Sequence, residues 1–382
     1  MRLSSLPPEL LLQIIESTVP HTFHTRTYHN RQRTLCSLSL VSKQFYSIAQ
    51  HLLYEIVWIK SPETLKRYQM TMNSSGDSDR GVAKAWRPKT AVIGSNDWDG
   101  STQLNQGAIL KEVAQVFSSV KSLTWDLNGI IVEDVPYLTG FSNLSSLHLS
   151  RIFSDPDNVA KLPKLESLTM FSVQGSLIAS LLDPAVVPSL KHFSLVDTSD
   201  ASVRELQQSR ITNLLPQLET IYLSAYLWLN PDLKFLHSAS ERTLVDSNSW
   251  DWTELTGGAA QTVNLRLIDT YLERTRDRSD FVEDDLKQWV SILQAPSDLS
   301  LRSIYLDSSL RPQPALPPPI AAMMDEFRIL CRRRSIELIF DVVPNDFRLD
   351  TWISAEFVKR QKIRQNEVES NRVGGGGRSQ QG

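Results

Sequence analysis

The sequence predicts an α/β protein in which a short helical module precedes an irregular series of alternating strands and helices. Two observations lead to this prediction. Apolar residues recur at helical spacing within the first 59 residues. From residue 120 onward a short strand-like pattern returns at intervals of 21 to 28 residues, and segments of helical character lie between its copies.

The composition is ordinary for a globular chain and excludes several classes of partner. The 382 residues are 41% hydrophobic and 22% charged, with a net charge of −3. This small charge produces no overall field that attracts nucleic acid or acidic lipids, so we expect neither as a partner. The apolar runs are far shorter than the ~20 residues of a membrane helix. Two cysteines, Cys36 and Cys331, cannot form a disulfide framework, and we expect a reducing compartment, the cytoplasm or the nucleus.

The N-terminal module contains three apolar segments that favour short helices. Prolines at residues 7 and 8 and a glutamate at residue 9 suit the first turn of a helix. Three short helices bury little surface by themselves, and Leu6, Leu12, Leu40 and Tyr54 lie off the main apolar stripes. Periodicity therefore leaves two alternatives, a cap on the domain that follows or a surface that packs against a partner.

Three motifs carry a resemblance to a known docking module. Residues 6–10 are Leu-Pro-Pro-Glu-Leu, residues 40–45 are Leu-Val-Ser-Lys-Gln-Phe, and residues 53–56 are Leu-Tyr-Glu-Ile. In this order and at about this separation they resemble the opening, centre and close of an F-box. Ser42 stands where an F-box usually has cysteine. The connection over residues 18–33 is longer than in a minimal F-box, and we expect an extended loop there between the first two helices.

The resemblance implies a three-helix F-box that binds the Skp adaptor and, through it, a cullin–RING ubiquitin ligase. The positions that it implies as adaptor contacts are Leu6, Pro7, Leu10, Ile14, Leu40, Val41, Lys43, Phe45 and Tyr54. The expected loop also contains His21 and His24, whose spacing could ligate a metal if helical. Neither cysteine nor carboxylate lies among these histidines, so we expect a solvated loop and no metal site.

The repeated pattern has the form apolar-x-x-apolar-x-apolar, whose last part alternates as in a strand with one buried face. Clear copies start at residues 120, 144, 165, 190, 218 and 301. Further candidate strands lie at residues 243–245, 263–267 and 336–340. This arrangement resembles a leucine-rich-repeat solenoid of irregular form, because the asparagine ladder of regular repeats is missing. A globular βαβ domain is the alternative.

In such a repeat the residues between the buried ones share one face of the sheet. This face is polar, nearly uncharged and includes aromatic residues, which suits hydrogen bonding to a peptide better than phosphate contacts. The candidate target-binding residues are His148, Phe171, His192, Tyr222 and Tyr305. The alternative is that small polar residues are simply tolerated on an exposed sheet. Trp228, Trp250, Trp252 and Trp289 form either a binding rim or, more in keeping with their size, part of the core.

These observations predict an F-box domain at residues 1–59, a linker at 60–85, a leucine-rich-repeat-like domain at 86–345 and a largely disordered tail at 346–382. The sequence contains no phosphate-binding glycine loop, nucleophile elbow or zinc-protease motif, so we expect no enzyme activity and no cofactor. We therefore predict a non-catalytic substrate receptor of a ubiquitin ligase. The alternative is a repeat scaffold without a ligase role, whose first helices are only a cap.

Overall fold

A computed structural model describes most of the chain. The described residues are 6–18, 25–74, 88–94, 106–131, 138, 140–153, 159, 161–173, 176–196, 199–247, 262–265, 279–295, 301–307 and 318–341. In these ranges no helix combines the length and the apolar character that crossing a membrane would require. The predicted tail at 346–382 lies outside them, as do His21, His24, Trp250 and Trp252.

Three helices form the N-terminal module, as the periodicity predicts. They are α1 (Pro8–Thr18), α2 (Thr25–Ser39) and α3 (Lys43–Glu55). The Ser42 hydroxyl caps α3 by accepting a hydrogen bond from the Phe45 N–H at 3.3 Å. The helices share a small apolar core of their own, formed by Leu11, Ile15, Leu35, Phe45, Ala49 and Leu52.

The expected extended loop between the first two helices is wrong for residues 25–33, which are helical. Helix α2 begins at Thr25 and is fifteen residues long. The segment looked unlike a helix because its polar residues leave no apolar stripe. Contacts with distant residues stabilise it as a helix. Arg31 pairs with Glu55 of α3, and Tyr28 packs against Trp58 in the strand that follows α3.

The remainder of the described chain is built on one parallel sheet of eleven strands, whose spatial order is the order of the chain. Each strand pairs in parallel with the next. The strands are β1 (Ile56–Ile59), β2 (Thr90–Ile93), β3 (Ser122–Ile131), β4 (Ser146–Phe153), β5 (Ser167–Phe171), β6 (His192–Val196), β7 (Thr220–Ser224), β8 (Thr243–Ser247), β9 (Thr262–Leu265), β10 (Ser303–Asp307) and β11 (Glu337–Asp341).

Helical segments connect the strands. They are α4 (Pro62–Ser74), α5 (Gln106–Val116), α6 (Leu177–Leu181), α7 (Asp200–Gln208), α8 (Ile211–Leu214), α9 (Ala225–Leu229), a kinked 3₁₀ segment (Pro231–Arg242), α10 (Ser279–Gln294) and α11 (Pro318–Arg333). Every strand predicted from the repeated pattern is present. The pattern missed β1 and β2, because β1 follows a helix without a break and β2 is four consecutive buried residues that do not alternate.

The buried face of the sheet follows from its register. Pairing places Leu123, Leu147, Leu168, Phe193 and Ile221 side by side, and each is at most 2% exposed. These are the middle apolar positions of the repeated pattern, so identical positions of successive copies stack on one another. A single core cluster extends from Val57 in β1 to Ile336 beside β11.

Successive strands are also joined by a recurring backbone contact just before each of the strands β3 to β7. The Lys89 carbonyl accepts hydrogen bonds from the N–H groups of Lys121 and Ser122 at 2.9 and 3.0 Å. The same contact recurs before each of the next four strands, where the accepting carbonyls are those of Lys121, Ser145, Glu166 and Lys191. Glu55, the last residue of α3, occupies the first position of this series, because its carbonyl accepts from the Lys89 N–H at 2.9 Å. The sheet therefore starts inside the predicted N-terminal domain, at Ile56.

Substitution of a stacked core leucine will test the packing of the sheet. Leu168 is fully buried between Leu147 and Phe193, so Leu168→Ala leaves a cavity and lowers the free energy of unfolding by about 2–5 kcal/mol. Met70 on α4 is 69% exposed, and Met70→Ala changes the same quantity by less than about 0.5 kcal/mol. Urea unfolding followed by circular dichroism measures both. Equal effects of the two substitutions would contradict the burial of Leu168 in the core of the sheet.

Candidate protein-interaction surfaces

Large exposed apolar side chains are concentrated on the N-terminal module. Among the described residues, seven large hydrophobic side chains are exposed, and five of them lie between residues 10 and 46. We call these five the N-terminal apolar surface: Leu10 (47% exposed), Ile14 (40%), Leu40 (87%), Val41 (62%) and Tyr46 (49%). Soluble proteins seldom expose such a group without a partner, which makes this surface a candidate docking site.

The tight turn between α2 and α3 leaves Leu40 and Val41 exposed. The N–H groups of Leu40 and Val41 donate to the carbonyls of Ser37 and Leu38 at 3.2 and 3.1 Å, so the chain turns tightly at the end of α2. Ser42 then starts α3 immediately as its cap. Both side chains, which lie in this turn and outside the core of the three helices, face solvent.

A single hydrogen bond brings α1 beside this turn. The Gln44 side-chain amide donates to the Leu6 carbonyl at 3.2 Å, which joins the start of α3 to the start of α1. Leu10 lies one turn beyond Leu6, and Ile14 lies one turn beyond Leu10 on the same side of α1. The start of α1 and the α2–α3 turn, which are distant in sequence, thus lie beside each other.

The predicted adaptor contacts differ in their exposure. Pro7 and Lys43 are exposed like Leu10, Ile14, Leu40 and Val41, whereas Leu6 and Tyr54 are half-buried. Phe45 is 7% exposed and belongs to the core of the three helices, so it has little surface to offer a partner. The adaptor contacts themselves remain predictions.

Tyr46 is the member of the surface that sequence reasoning missed. It follows Phe45 on α3 and lies outside the helical stripe formed by Phe45, Ala49 and Leu52. The same signal, a large apolar residue off the stripe, had singled out Leu40 and Tyr54. Applied consistently, it would have found Tyr46 as well.

The second candidate surface is the face of the sheet whose residues alternate with the core positions. Pairing aligns Thr124, His148, Thr169, Ser194 and Tyr222 in one row across β3 to β7, as the alternation predicts. We call this set the polar row. Its members were expected to be accessible, yet all five are buried, with exposures from 0% for His148 to 8% for Tyr222.

The predicted target-binding residues are therefore in different environments. His148 and Tyr222 are buried, whereas Phe171 and His192 are half-buried, and the side chain of Tyr305 lies outside the described residues. His192 Nδ1 lies 2.9 Å from the Thr220 hydroxyl on the neighbouring strand. Their role in target binding remains a prediction.

His148 is the most unusual member of the polar row. Its side chain is fully buried, and neither ring nitrogen has a hydrogen-bond partner among the described residues. The Ser150 hydroxyl, two residues further along β4, is also buried without a partner in the same part of the chain. Burial lowers the pKa of His148 to about 3, because the charged imidazolium would lose its hydration. The ring is therefore neutral at physiological pH.

The tryptophans and charged groups of the described chain supply no further site. Trp228 and Trp289 are each 1% exposed, which confirms core packing for these two and rules out a rim role. Within the ranges described above, no group of three or more histidine, cysteine or acidic residues could hold a metal ion. Cys36 is exposed on α2 and Cys331 is buried in α11.

Comparison with known protein families identifies the N-terminal module. A family model described as F-box-like matches residues 3–59, which include α1, α2, α3 and β1. F-box domains typically bind the Skp adaptor within cullin–RING ligases, so the match indicates an adaptor-binding role for this module. The match covers a small part of the chain and includes no strand of the sheet beyond β1. A search of curated proteins finds no match.

The burial of His148 predicts a specific dependence of stability on pH. In the unfolded chain this histidine binds a proton near its ordinary pKa of 6.5, whereas in the folded protein it stays neutral down to about 3. Its contribution to stability is therefore complete above pH 6.5 and is lost as the pH falls. Between pH 6.5 and about pH 3, the free energy of unfolding therefore falls by about 1.4 kcal/mol for each pH unit.

His148→Leu removes this contribution. The difference in unfolding free energy between pH 7 and pH 5, measured with urea, is smaller for the variant by about 2 kcal/mol. Ser194→Ala in the same polar row carries no titratable group and keeps the wild-type difference. An unchanged pH dependence in His148→Leu would show that His148 is hydrated in the folded protein.

Proposed function

We propose that this protein is the substrate-recognition subunit of a Skp–cullin–F-box ubiquitin ligase. The observation that carries the proposal is the N-terminal apolar surface, because it lies on the module that matches an F-box-like family. Burying one such Leu side chain against a partner contributes about 1.5–3 kcal/mol, so several of them together offset much of the cost of association. The implied partners are the Skp adaptor and, through it, a cullin–RING ligase.

The receptor catalyses nothing itself in this proposal. It holds a target protein close to a ubiquitin-conjugating enzyme and raises the effective concentration of the target's lysines. No cofactor takes part, and the site of action is the cytoplasm or the nucleus.

The domain that holds the target is proposed to be an irregular leucine-rich-repeat solenoid. Three features support this interpretation: the sequential order of the parallel strands, the stacking of identical repeat positions and the recurring carbonyl contact before β3 to β7. The half-buried Phe171 and His192 are the predicted target-binding residues with accessible surface, so they are the first positions to examine.

A scaffold without a ligase role is the second candidate, and one observation favours a structural contribution from the N-terminal module. Helix α3 continues directly into β1, which is the first strand of the sheet. Deleting residues 1–59 would therefore remove a strand together with the helices and destabilise the sheet under either function. Point substitutions on the exposed surface separate the two functions better.

The test is co-expression with the Skp adaptor followed by size-exclusion chromatography. Leu40→Asp combined with Val41→Asp places two charges on the most exposed part of the N-terminal apolar surface and abolishes co-elution, a weakening of about 100-fold or more. Met70→Asp is the matched control, because Met70 is 69% exposed on α4 and lies outside that surface. The control keeps wild-type co-elution.

The outcome decides between the two candidates. Loss of the complex in the double variant alone, with unchanged thermal unfolding of the free chain, supports the receptor. Absence of a complex with the wild-type chain, or a complex that survives the double variant, would contradict adaptor docking through this surface and leave the scaffold function.

A further inference from the structure

The first half of α2 contacts the edge of the sheet, although the F-box motifs do not require it to. Tyr28 and Trp58 of β1 form an edge-to-face pair with ring centroids 5.3 Å apart. A hydrogen bond also joins the Tyr28 side chain to the Trp58 backbone, and burial raises the pKa of Tyr28. Because β1 is the edge strand of the described sheet, this contact covers backbone that would otherwise be open at the edge.

Two further groups hold Trp58. Its indole N–H donates to the Gly94 carbonyl at 2.7 Å, just beyond the neighbouring strand β2. The Lys60 ammonium lies 4.2 Å from the centre of the Trp58 ring and donates to His29 Nε2 at 2.9 Å. Loss of hydration and the charges of Lys60 and Arg33 lower the pKa of His29.

An ionic contact completes the attachment. Glu55 lies between two cations, with Arg31 of α2 at 3.6 Å and Lys89, just before β2, at 2.8 Å. The Arg31 side chain is only 9% exposed, so the Glu55 carboxylate offsets part of the cost of burying its charge. Since the Glu55 carbonyl also accepts from the Lys89 N–H, this one residue joins α2, α3 and the sheet.

We propose that the first half of α2 is a docking arm that fixes the N-terminal module to the sheet in a single orientation, with Trp58 and Glu55 as the positioning residues. Its physical basis is that a side chain held from several elements at once cannot pivot, whereas a flexible linker would allow many orientations. The N-terminal apolar surface and the polar row then keep a constant relation to each other.

The consequence for function rests on the proposed receptor role. If the module binds an adaptor and the sheet binds a target, the docking arm determines where the target lies relative to the ligase. Target lysines would then be selected by their position on the target as well as by accessibility. The orientation itself can be measured without adaptor or target, so failure of this inference is distinguishable from failure of the receptor role.

The experiment measures the distribution of distances between two spin labels in the full-length chain by pulsed electron paramagnetic resonance. One label is attached to Cys36, which is exposed on α2, and the other to Lys161→Cys, an exposed position between β4 and β5. Cys331 does not interfere, because it is buried and its burial raises its pKa to about 12.

Two variants remove the docking arm's contacts to different degrees. Glu55→Gln combined with Trp58→Ala removes both positioning residues. Glu55→Gln combined with Lys60→Ala removes the charged contacts and leaves the apolar packing intact, so it decides the question if the first variant fails to fold. Glu166→Gln is the matched control, because Glu166 pairs with Lys191 at 3.1 Å and has the same place before a strand as Glu55.

The expected result is one narrow distance distribution for the wild type and for Glu166→Gln, and a distribution at least about twofold broader for the docking-arm variants. Adaptor binding, measured separately, is expected to remain within about threefold of wild type, because the N-terminal apolar surface is untouched. A broad distribution in the wild type would overturn the proposal. So would a narrow distribution in a folded docking-arm variant.

Discussion

The continuation of α3 into β1 without an intervening loop is the constraint on which the remainder of the structure depends. Glu55 ends the helix, and Ile56 already pairs with Thr90 in the sheet. The backbone of Glu55 occupies the first position of a contact that recurs before the following strands. A three-helix module with its own small core is thereby aligned with the first strand of a parallel sheet, and each later strand adds to the one before.

The two candidate surfaces differ in a way that matters for function. The N-terminal apolar surface is open because the three helices have too few core positions for all their large side chains. The polar row is closed although its residues are of the kind that tolerates water. Apolar groups in solvent and polar groups without partners are both costly. Exposed apolar groups are usual at a docking surface, whereas the buried ring of His148 is an example of the cost of burying a polar group.

Several features could be predicted from sequence because they depend on local pattern. The strands from β3 to β7 follow from the alternation within each repeat, and Ser42 was identifiable as a cap from its place before an apolar stripe. The predicted adaptor positions Leu40 and Val41 proved to be the most exposed members of the N-terminal apolar surface. Others failed for equally physical reasons. The first half of helix α2 lacks an apolar stripe and is supported by contacts from β1, which local periodicity cannot show.

The sequence by itself determined the order of the strands from β3 onward and the residues of each that share a face, because both depend on spacing along the chain. Only the tertiary structure decided which polar residues are buried and how the N-terminal module meets the sheet. Burial of His148 and the position of Trp58 between Tyr28, Lys60 and Gly94 depend on groups that are distant in sequence. Contacts of that kind arise from packing, and no spacing rule along the chain encodes them.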